Sequence, residues 1–485
     1  MKFLGLSLDD HDSSVTYTDG TVVKYLSTER EYDIKHHGFR DHWRWQTILK
    51  KWDVSLDDID AVAVILDSNR LDDGEVYKRI DDLEFAGQSL GCPVFVIDHH
   101  YAHALSLWPL GEVPEVNYVF DGYGNRDRSH TLFHGNRIVD QYDVSTDGSL
   151  GTILADIGRH LKMSGNGLDA AGKVTGLSAY GVHDKSHAEK IRDIPLKNIE
   201  GIWNAELWER RPNNDFFHID WLKTCHDITA DKYAEYILSS DGLIGYSGGI
   251  AQNCVINSKL LSSGRVVIPP HSNDSGLSLG AVEFLRRYYQ QDEFDNTGFP
   301  FWQDDEAPDS EPSDETISFA AEALASGRAI GWYQGHGEIG PRALGNRSIL
   351  MSARVPYAKQ FLNNEVKYRE NYRPYGAAVL REDVTKHFDC DYDVPYMNSA
   401  VQVVDSGIPG VTHVDNSCRI QTVSGDNSFS RLLQRYKDLT GDSVILNTSL
   451  NIGGQPIASK IWQAHEIYSK TSLEYLVVGD DVFSY

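Results

Sequence analysis

The sequence predicts an α/β protein built from two domains, and three observations lead to this prediction. Its 485 residues exceed the roughly 100–200 residues of a single domain. An apolar strand, a carboxylate-rich loop and a hairpin occupy residues 2–26, and the same order returns at residues 117–144, which indicates an internal duplication. Between these copies, apolar runs at residues 61–66 and 93–97 flank a helical stretch, as buried parallel strands require. Functional loops are therefore expected at strand ends.

An acidic segment at residues 303–316, QDDEAPDSEPSDET, marks the predicted domain boundary. It carries seven acids, two prolines and no basic residue, which is typical of a linker or surface loop. We therefore expect an N-terminal domain at residues 1–302 and a C-terminal domain at residues 317–485. In the second domain, a helix is expected at residues 317–325 and a strand at residues 329–333.

The charge and the cysteines limit the classes of partner. Lys and Arg number 45 against 71 Asp and Glu, a net charge of −26, so neither polymeric nucleic acid nor an anionic membrane surface is an expected partner. The five cysteines are odd in number and scattered, which favours a reducing compartment. The apolar runs are too short to cross a bilayer and no secretion signal opens the chain, so a cytoplasmic location is expected.

Two histidines and two carboxylates are candidate metal ligands. His99 and His103 are four residues apart, so both imidazoles would lie on one face of a helix. Asp121 and Asp274 stand in strand-end loops that are expected nearby. Two histidines with two carboxylates suit Fe(II), Mn(II) or Zn(II). From the spacing alone, the alternative that the histidines are solvated or satisfied in the core is equally good.

His11 and Asp12 lie in the first carboxylate loop, which the predicted duplication brings to the same cleft as Asp121. A neutral histidine there is able to take a proton from an attacking hydroxyl, with a neighbouring carboxylate fixing its tautomer. The local sequence also fits a turn histidine with Asp12 as a cap.

Glycine-rich turns in the first domain are candidate nucleotide contacts. The stretch at residues 247–253, SGGIAQN, follows a strand and precedes a helix, so its backbone amides are able to approach a phosphate, although such turns are often only turns. Lys173 is either a phosphate contact or an ordinary exposed lysine, and with His11 and Asp12 it completes the candidate catalytic residues. The candidate nucleotide-binding residues of this domain are Gly122, Gly124, Gly248, Gly249 and Asn253.

The second domain holds a local cluster of basic residues despite the overall acidity. Guanidinium groups among small, turn-forming residues suit the binding of a phosphate or carbamoyl oxygen, whereas each one alone also fits a surface salt bridge. The polar residues after the late strand suit a neutral amide or a ribose. The candidates are Arg342, Arg347, Ser348, Lys367, Arg369, Arg373, Arg419, Asn447, Ser449 and Asn451.

Nine segments in order along the chain resemble the O-carbamoyltransferases of the NodU/CmcH family. They are DDHDSS at residues 9–14, DHHYAHA at 98–104, FDGYG at 120–124, GKVTGLSAYG at 172–181, SGGIAQN at 247–253, NDSGLSLGA at 273–281, GPRALGNRSIL at 340–350, KYRENYRP at 367–374 and LNTSLN at 446–451.

The resemblance implies an N-terminal domain of the actin-like ATPase fold and a C-terminal domain similar to the YrdC fold. The C-terminal domain would use carbamoyl phosphate and ATP, with Mg, to form carbamoyl adenylate and release pyrophosphate. The N-terminal domain would then pass the carbamoyl group to a hydroxyl of a small acceptor, a sugar, a glycoside or a hydroxymethylated nucleotide, and release AMP. The sequence does not decide the oligomeric state, and a homodimer is one possibility.

The resemblance also implies residue roles. His99, His103, Asp121 and Asp274 would hold the metal, with Fe(II) as the first choice, and His11 would be the general base. Lys367, Arg342, Arg347, Arg373 and Arg419 would line the adenylation site. The sequence departs from the family at His336, where an arginine is usual, so a phosphate contact is expected to be weakened or moved.

Two alternatives accompany this interpretation. One is a tRNA threonylcarbamoyl-modifying enzyme, which the negative net charge disfavours because tRNA binding needs a basic face. The other is a non-catalytic, actin-like nucleotide-binding regulator.

Overall fold

A computed structural model describes residues 1–20, 23–39, 44–66, 70–80, 84–85, 88–111, 113–203 and 215–484. Over these residues the protein is mixed α/β with three larger sheets and one small two-stranded sheet, which confirms the predicted α/β class. In chain order the strands are β1 (Phe3–Ser7), β2 (Ser14–Thr18), β3 (Val23–Ser27), β4 (Ala61–Ile65), β5 (Tyr77–Ile80), β6 (Glu84–Phe85), β7 (Gln88–Ser89), β8 (Val94–Ile97), β9 (Val116–Gly124), β10 (Arg128–His134), β11 (Arg137–Asp143), β12 (Ile244–Ser247), β13 (Val266–Val267), β14 (Ile330–Tyr333), β15 (Arg347–Ser352), β16 (Gly376–Leu380), β17 (Ser399–Gln402), β18 (Ser417–Val423), β19 (Ile445–Ser449), β20 (Tyr475–Val478) and β21 (Asp481–Ser484).

Helices connect and cover these sheets. Within the described ranges, no helix has both the length and the apolar character that crossing a bilayer demands. The α-helices are α1 (Thr28–Tyr32), α2 (Trp45–Lys51), α3 (His99–Leu105), α4 (Val144–Asp147), α5 (Leu150–His160), α6 (Gly167–Ser178), α7 (Lys185–Ile191), α8 (Ile199–Ile202), α9 (Asp215–Leu238), α10 (Cys254–Leu261), α11 (Leu277–Tyr288), α12 (Asp314–Ala325), α13 (Ala358–Phe361), α14 (Val384–His387), α15 (Ser428–Thr440) and α16 (Ile461–Lys470).

The first two sheets share one strand order and one set of strand directions. In the first, of order β3-β2-β1-β4-β8-β5, the hairpin β2–β3 lies antiparallel beside β1, and β4 and β8 run parallel to β1. In the second, of order β11-β10-β9-β12-β13, the hairpin β10–β11 lies beside β9, and β12 and β13 run parallel to β9. The predicted duplication is therefore visible in the topology. It places the loop after β1 and the end of β9 at corresponding positions.

The third sheet belongs to the C-terminal half and has the order β17-β18-β16-β19-β15-β14-β20-β21. Leu324 of α12 and Leu432 of α15 join Trp332 of β14 in one buried cluster that covers one face of the sheet. A second buried cluster covers the other face, so the sheet forms a core of its own. Helix α12 begins three residues before the predicted start because Ser313 caps it.

The acidic connection at residues 303–316 is packed more tightly than the linker or surface loop that its composition predicts. Gln303 is buried, and its backbone N–H donates to the carbonyl of Gly337 at 3.2 Å. The buried carboxylate of Asp305 lies 3.0 Å from the guanidinium of Arg347. These contacts satisfy the backbone N–H of Gln303 and the carboxylate of Asp305, which offsets the cost of burying them. The segment therefore forms part of the contact between the two halves of the chain.

Candidate functional site

Two histidines and two carboxylates converge where helix α3 meets the ends of the central strands. Helix α3 starts directly after β8, and the side chain of Asp98 caps it. His99 and His103 therefore lie one turn apart on the same helix face. Asp121 comes from the end of β9, and Asp274 comes from the short turn before α11.

The spacing of these four side chains fits a metal ion. His99 Nε2 lies 3.0 Å from Asp121 Oδ2 and 3.5 Å from Asp274 Oδ1. His103 Nε2 lies 3.3 Å from each of the same two oxygens. Two ligand atoms that bind the same cation with bonds of about 2.1 Å lie at separations of this size from each other. The structure thus brings all four predicted ligands together in a buried cluster.

Neighbouring groups orient the cluster. Asp9 Oδ2 lies 3.4 Å from Nδ1 of His99, which leaves Nε2 of that ring free to bind a cation. The backbone N–H groups of Gly122 and Gly249 donate to Asp121 Oδ1 at 2.7 and 3.1 Å, so Oδ2 faces the histidines. Burial raises the pKa of Asp121, but its contacts with the two histidines outweigh burial and hold the pKa well below its usual value.

His11 stands between the cluster and open space. Its Nδ1 lies 3.3 Å from Asp12 Oδ2 and 3.4 Å from Asp274 Oδ2, and its side chain is 39% exposed. Burial lowers the pKa of His11, but the negative charges of Asp274 and Asp12 outweigh burial and raise the pKa to about 9. With Nδ1 directed at carboxylates, Nε2 is the nitrogen left for a substrate.

One cavity of about 950 Å³ joins the two halves of the chain. His11, Asp121 and Asp274 line it from the N-terminal half. The basic residues that line it from the C-terminal half are Arg342, Lys367, Arg369, Arg373 and Arg419. This volume lies within the range of sites for drug-sized ligands and cofactors.

The C-terminal end of the cavity concentrates positive charge. Arg342, Arg373 and Arg419 line it, and no carboxylate pairs with Arg342 or Arg419 among the residues that the structure describes. The charge of Arg419, together with burial, lowers the pKa of Arg342 to about 9. Burial, opposed in part by Tyr375, lowers the pKa of Arg369 in the same wall to about 10. An anionic ligand would relieve this mutual repulsion.

Lys367 is buried at the same end of the cavity. Its ammonium donates to the carbonyl of Ser449 and to the carbonyl and side-chain oxygens of Asn451, the latter two at 3.0 and 2.6 Å. Burial and the nearby arginines lower its pKa well below the usual lysine value. Ser449 and Asn451, which the sequence predicted as ligand contacts, therefore hold Lys367 and also line the cavity.

Lys173 connects the two halves across the cavity. Its Nζ donates to the carbonyl of Ser164 at 2.5 Å and to Glu370 Oε1 at 2.8 Å. Glu370 belongs to the same loop as Lys367 and Arg373. Lys173 is thus neither an exposed lysine nor a free phosphate contact in this arrangement.

Three predicted C-terminal residues do not line the cavity. Arg347 stacks on Tyr333 at 3.6 Å from the ring centre and is paired with the buried Asp305, so its charge is already compensated. Ser348 is fully buried in β15. Asn447 is fully buried and donates to the side chain of Gln421 at 3.0 Å. Their placement in the adenylation site is therefore corrected to a role in the core.

The glycine-rich turns are corrected in part. Gly248 has φ +91°, and a Cβ there would lie 2.2 Å from the carbonyl oxygen of Phe120, so it serves chain packing. Gly124 packs on the ring of His100 and is also outside the cavity wall. Gly122, Gly249 and Asn253 do line the cavity.

His336 lies away from the cavity. Its side chain is 55% exposed, and its Nδ1 is 3.5 Å from Asp305. The departure from the family arginine therefore changes a contact at the surface of the domain junction.

Other functional contacts escaped the sequence analysis. Arg30 of helix α1 donates to the carbonyls of Glu338 and Gly340, each at 2.6 Å. It therefore fixes the loop that carries Arg342 to the N-terminal half. His36 lies between Asp12 and a carboxylate of helix α6. His36 is followed by His37 and Gly38, but this short sequence does not reveal that the ring meets carboxylates from two other elements, and Arg30 stands in no recognisable motif.

The chain is similar to known proteins along most of its length. Residues 321–484 match the family model described as carbamoyltransferase C-terminus. The chain is 30% identical to nodulation protein NolO of Bradyrhizobium diazoefficiens, across 79% of this chain and 78% of that protein. The chain belongs to the NodU/CmcH-type O-carbamoyltransferases. This carbamoyltransferase is also 28% identical to nodulation protein NolNO of Sinorhizobium fredii, across 97% of this chain and 78% of that protein.

A cephem O-carbamoyltransferase is also among the relatives of this carbamoyltransferase. The 3'-hydroxymethylcephem-O-carbamoyltransferase of Streptomyces clavuligerus is 37% identical across 48% of this chain and 47% of that enzyme. Family membership makes the chain an enzyme, so the alternative of a non-catalytic regulator is wrong. Among solved structures, full-length HypF in its phosphate- and nucleotide-bound form is 14% identical across 61% of this chain and 47% of that chain, with a TM-score of 0.34, too low to carry an argument.

Proposed function

We propose that this enzyme is an ATP-dependent O-carbamoyltransferase that activates carbamoyl phosphate at the C-terminal end of the cavity and transfers the carbamoyl group at the N-terminal end. The observation that carries the proposal is the shared cavity, because Arg342, Arg419 and His11 all line it. The reactive intermediate would then pass between the two ends shielded from water.

The proposed activation step forms carbamoyl adenylate in two reactions. Carbamoyl phosphate loses its phosphate to water and gives carbamate, whose oxygen attacks the α-phosphorus of ATP. The bond from that phosphorus to the β-phosphate oxygen breaks, so carbamoyl adenylate, pyrophosphate and one inorganic phosphate are formed. Arg342, Arg373 and Arg419 suit this step because guanidinium groups stabilise the charge on the departing pyrophosphate, with Mg bound to ATP. Lys367 would orient the loop that carries Arg373.

The transfer step needs a base beside the acceptor. His11 Nε2 takes the proton of the acceptor hydroxyl while that oxygen forms a bond to the carbamoyl carbon. The bond from the carbamoyl carbon to the adenylate oxygen then breaks, and AMP leaves with the electron pair. Asp12 holds the opposite nitrogen of the His11 ring, at 3.3 Å.

The proposed metal site is His99, His103, Asp121 and Asp274, with Fe(II) as the first choice and Mn(II) or Zn(II) as the alternatives. A divalent cation bound there supplies Lewis acidity for charge that develops on the carbamoyl oxygen. Its positive charge would also offset the carboxylates that raise the pKa of His11, which favours the neutral base.

The duplicated sheet order supports the proposal that residues 1–302 form an actin-like domain. A YrdC-like fold for residues 317–485 is proposed from the family resemblance. The proposed acceptor is a small molecule with a hydroxyl group, a sugar or glycoside first and a hydroxymethylated nucleotide second. Relatives with nodulation and cephem names support a small-molecule acceptor.

Product analysis tests the proposal. The purified enzyme is incubated with ATP, Mg, carbamoyl phosphate and a panel of sugars, glycosides and nucleotides, and nucleotides and phosphates are quantified. We expect AMP and pyrophosphate in equal amounts and one acceptor that gains the mass of a carbamoyl group. ADP as the sole nucleotide product would contradict the proposal.

A further inference from the structure

The ring of His36 lies between two carboxylates, and the proposed reaction steps assign this residue no role. Its Nδ1 lies 3.1 Å from both oxygens of Asp12, and its Nε2 lies 3.4 Å from Oδ1 of Asp169. Asp12 belongs to the loop after β1, whereas Asp169 belongs to helix α6. The ring is therefore held from two separate elements at the wall of the cavity.

Asp12 is the link between this ring and the proposed base. One carboxylate faces two imidazoles, because Asp12 Oδ2 lies 3.3 Å from His11 Nδ1 and 3.1 Å from His36 Nδ1. Asp12 has φ +48° and His36 has φ +55°, a left-handed conformation that residues with a side chain adopt rarely. Such conformations persist where the surroundings enforce them, which is common at functional sites.

The backbone around His36 is fixed to the His11 loop. The N–H of Ser13 donates to the carbonyl of His37 at 3.0 Å, and the N–H of Phe39 donates to Oγ of Ser13 at 3.0 Å. A Cβ on Gly38 would lie 2.2 Å from the carbonyl carbon of Asp10, so the two segments touch through their backbones. His36 therefore has a defined position relative to His11.

The contacts of His36 favour a charged ring that donates on both sides. Burial lowers the pKa of His36, but its hydrogen bonds to Asp12 and Asp169 outweigh burial and raise the pKa to about 10. A doubly protonated ring donates to Asp12 and leaves that carboxylate able to accept from His11.

We propose that His36 is a positioning residue for carbamoyl transfer, which fixes Asp12 and, through Asp12, the ring of His11. The inference rests on the proposed function of the cavity, in which His11 Nε2 receives the acceptor proton. Without the donor at Nδ1 of His36, Asp12 is free to turn away, and His11 loses the contact that directs Nε2 to the acceptor. Activation at the arginine end does not involve this contact.

Two substitutions at one position separate positioning from general stability. His36→Ala removes the donor. His36→Asn keeps an N–H donor near the position of Nδ1, and asparagine tolerates the left-handed conformation. His134→Ala serves as a matched control, since His134 is 58% exposed on β10 and contacts only Glu115 among its recorded ion pairs.

The experiment measures kcat and KM for carbamoyl transfer and, separately, exchange of labelled pyrophosphate into ATP in the presence of carbamoyl phosphate. For His36→Ala we expect kcat of transfer to fall about 30-fold or more, with exchange and the KM for the acceptor within about twofold of wild type. His36→Asn is expected to recover about tenfold of that loss, and His134→Ala to match wild type.

Three outcomes overturn the inference. They are transfer by His36→Ala at the wild-type rate, no recovery in His36→Asn, or a parallel loss of exchange and transfer, which indicates a general structural role. A wild-type enzyme that shows no transfer to any acceptor would overturn the proposed function as well. An active wild type with an unaffected His36→Ala variant would overturn this inference alone.

Discussion

Lys173 Nζ lies 2.8 Å from Oε1 of Glu370, and this ion pair joins helix α6 of the N-terminal half to the loop that carries the C-terminal basic residues. The same Glu370 oxygen accepts a hydrogen bond from Ser164 Oγ at 2.8 Å. Contacts to Lys173 and Ser164 outweigh the effect of burial and lower the pKa of Glu370 to about 2, so the pair is charged at neutral pH. The two ends of the cavity are thus bridged by one carboxylate.

Glu370→Gln is expected to loosen this bridge while keeping the size of the side chain. The activated carbamoyl group would then be lost to water more often, so carbamoylated product per AMP should fall about 3–10-fold. The ratio of product to AMP is measured with a saturating acceptor. Glu115→Gln, a change at an exposed carboxylate on the surface, is the matched control. An unchanged ratio would show that the bridge does not protect the intermediate.

Arg347→Ala is expected to damage stability rather than substrate binding. The guanidinium and the carboxylate of Asp305 are both fully buried, so truncation leaves an unpaired buried charge. Loss of one partner of such a pair costs about 3–5 kcal/mol of the free energy of unfolding. Thermal melting measures this loss, with Arg342→Ala as the comparison, because Arg342 has no recorded carboxylate partner in the described ranges. Equal melting temperatures for the two variants would contradict the assignment.

His103→Ala is expected to lose the metal and with it the transfer step. The substitution would remove one of the two proposed histidine ligands, and we expect metal affinity to fall by at least the roughly 10–100-fold that loss of a group supporting a ligand costs. Metal content of the purified protein is measured by elemental analysis, alongside pyrophosphate exchange. We expect low metal, absent transfer and retained exchange, whereas His134→Ala should keep all three properties of wild type. Full metal content in His103→Ala would exclude the proposed ligand set.

His387 is expected to give the enzyme a pH-dependent stability. Its Nδ1 lies 2.9 Å from Asp405 and its Nε2 lies 3.1 Å from Asp442. Burial lowers the pKa of His387, but these two carboxylates outweigh burial and raise it above 6.5. The protonated ring therefore contributes stability that is fully present below the unfolded pKa and is lost as the pH rises through the raised folded pKa.

The measurement is the melting temperature of wild type and His387→Gln between about pH 6 and pH 9. The advantage of wild type should shrink as the pH rises. An advantage that is constant or grows with pH would contradict the ion-pair assignment.

The convergence of the four proposed metal ligands was predictable because its signals are local. Spacing of four residues puts His99 and His103 on one helix face, and the duplicated topology brings Asp121 beside the loop of His11. The two strand-and-hairpin units of the first half were predictable in the same way, from two similar sequence patterns.

The division of labour among the arginines was not predictable. Arg342 stands five residues before Arg347, the first residue of β15, yet only Arg342 faces the cavity. The difference depends on Asp305, which the sequence placed in a solvated linker and which the fold buries against Arg347. His36 escaped notice because its partners, Asp12 and Asp169, come from distant parts of the chain. Such contacts depend on tertiary packing, which composition and spacing do not encode.

The central claim is that two reactions take place at two ends of one cavity. Pyrophosphate exchange in two variants tests this claim most directly. Labelled pyrophosphate, ATP and carbamoyl phosphate are incubated with Arg342→Ala and with His11→Ala, without acceptor, to measure exchange. Transfer is measured in a second incubation that contains an acceptor carbamoylated by wild type. We predict that Arg342→Ala loses exchange by about 100-fold or more, because it removes charge where pyrophosphate departs, and that His11→Ala exchanges within about twofold of wild type but transfers nothing. Loss of exchange in both variants, or in neither, would contradict the account.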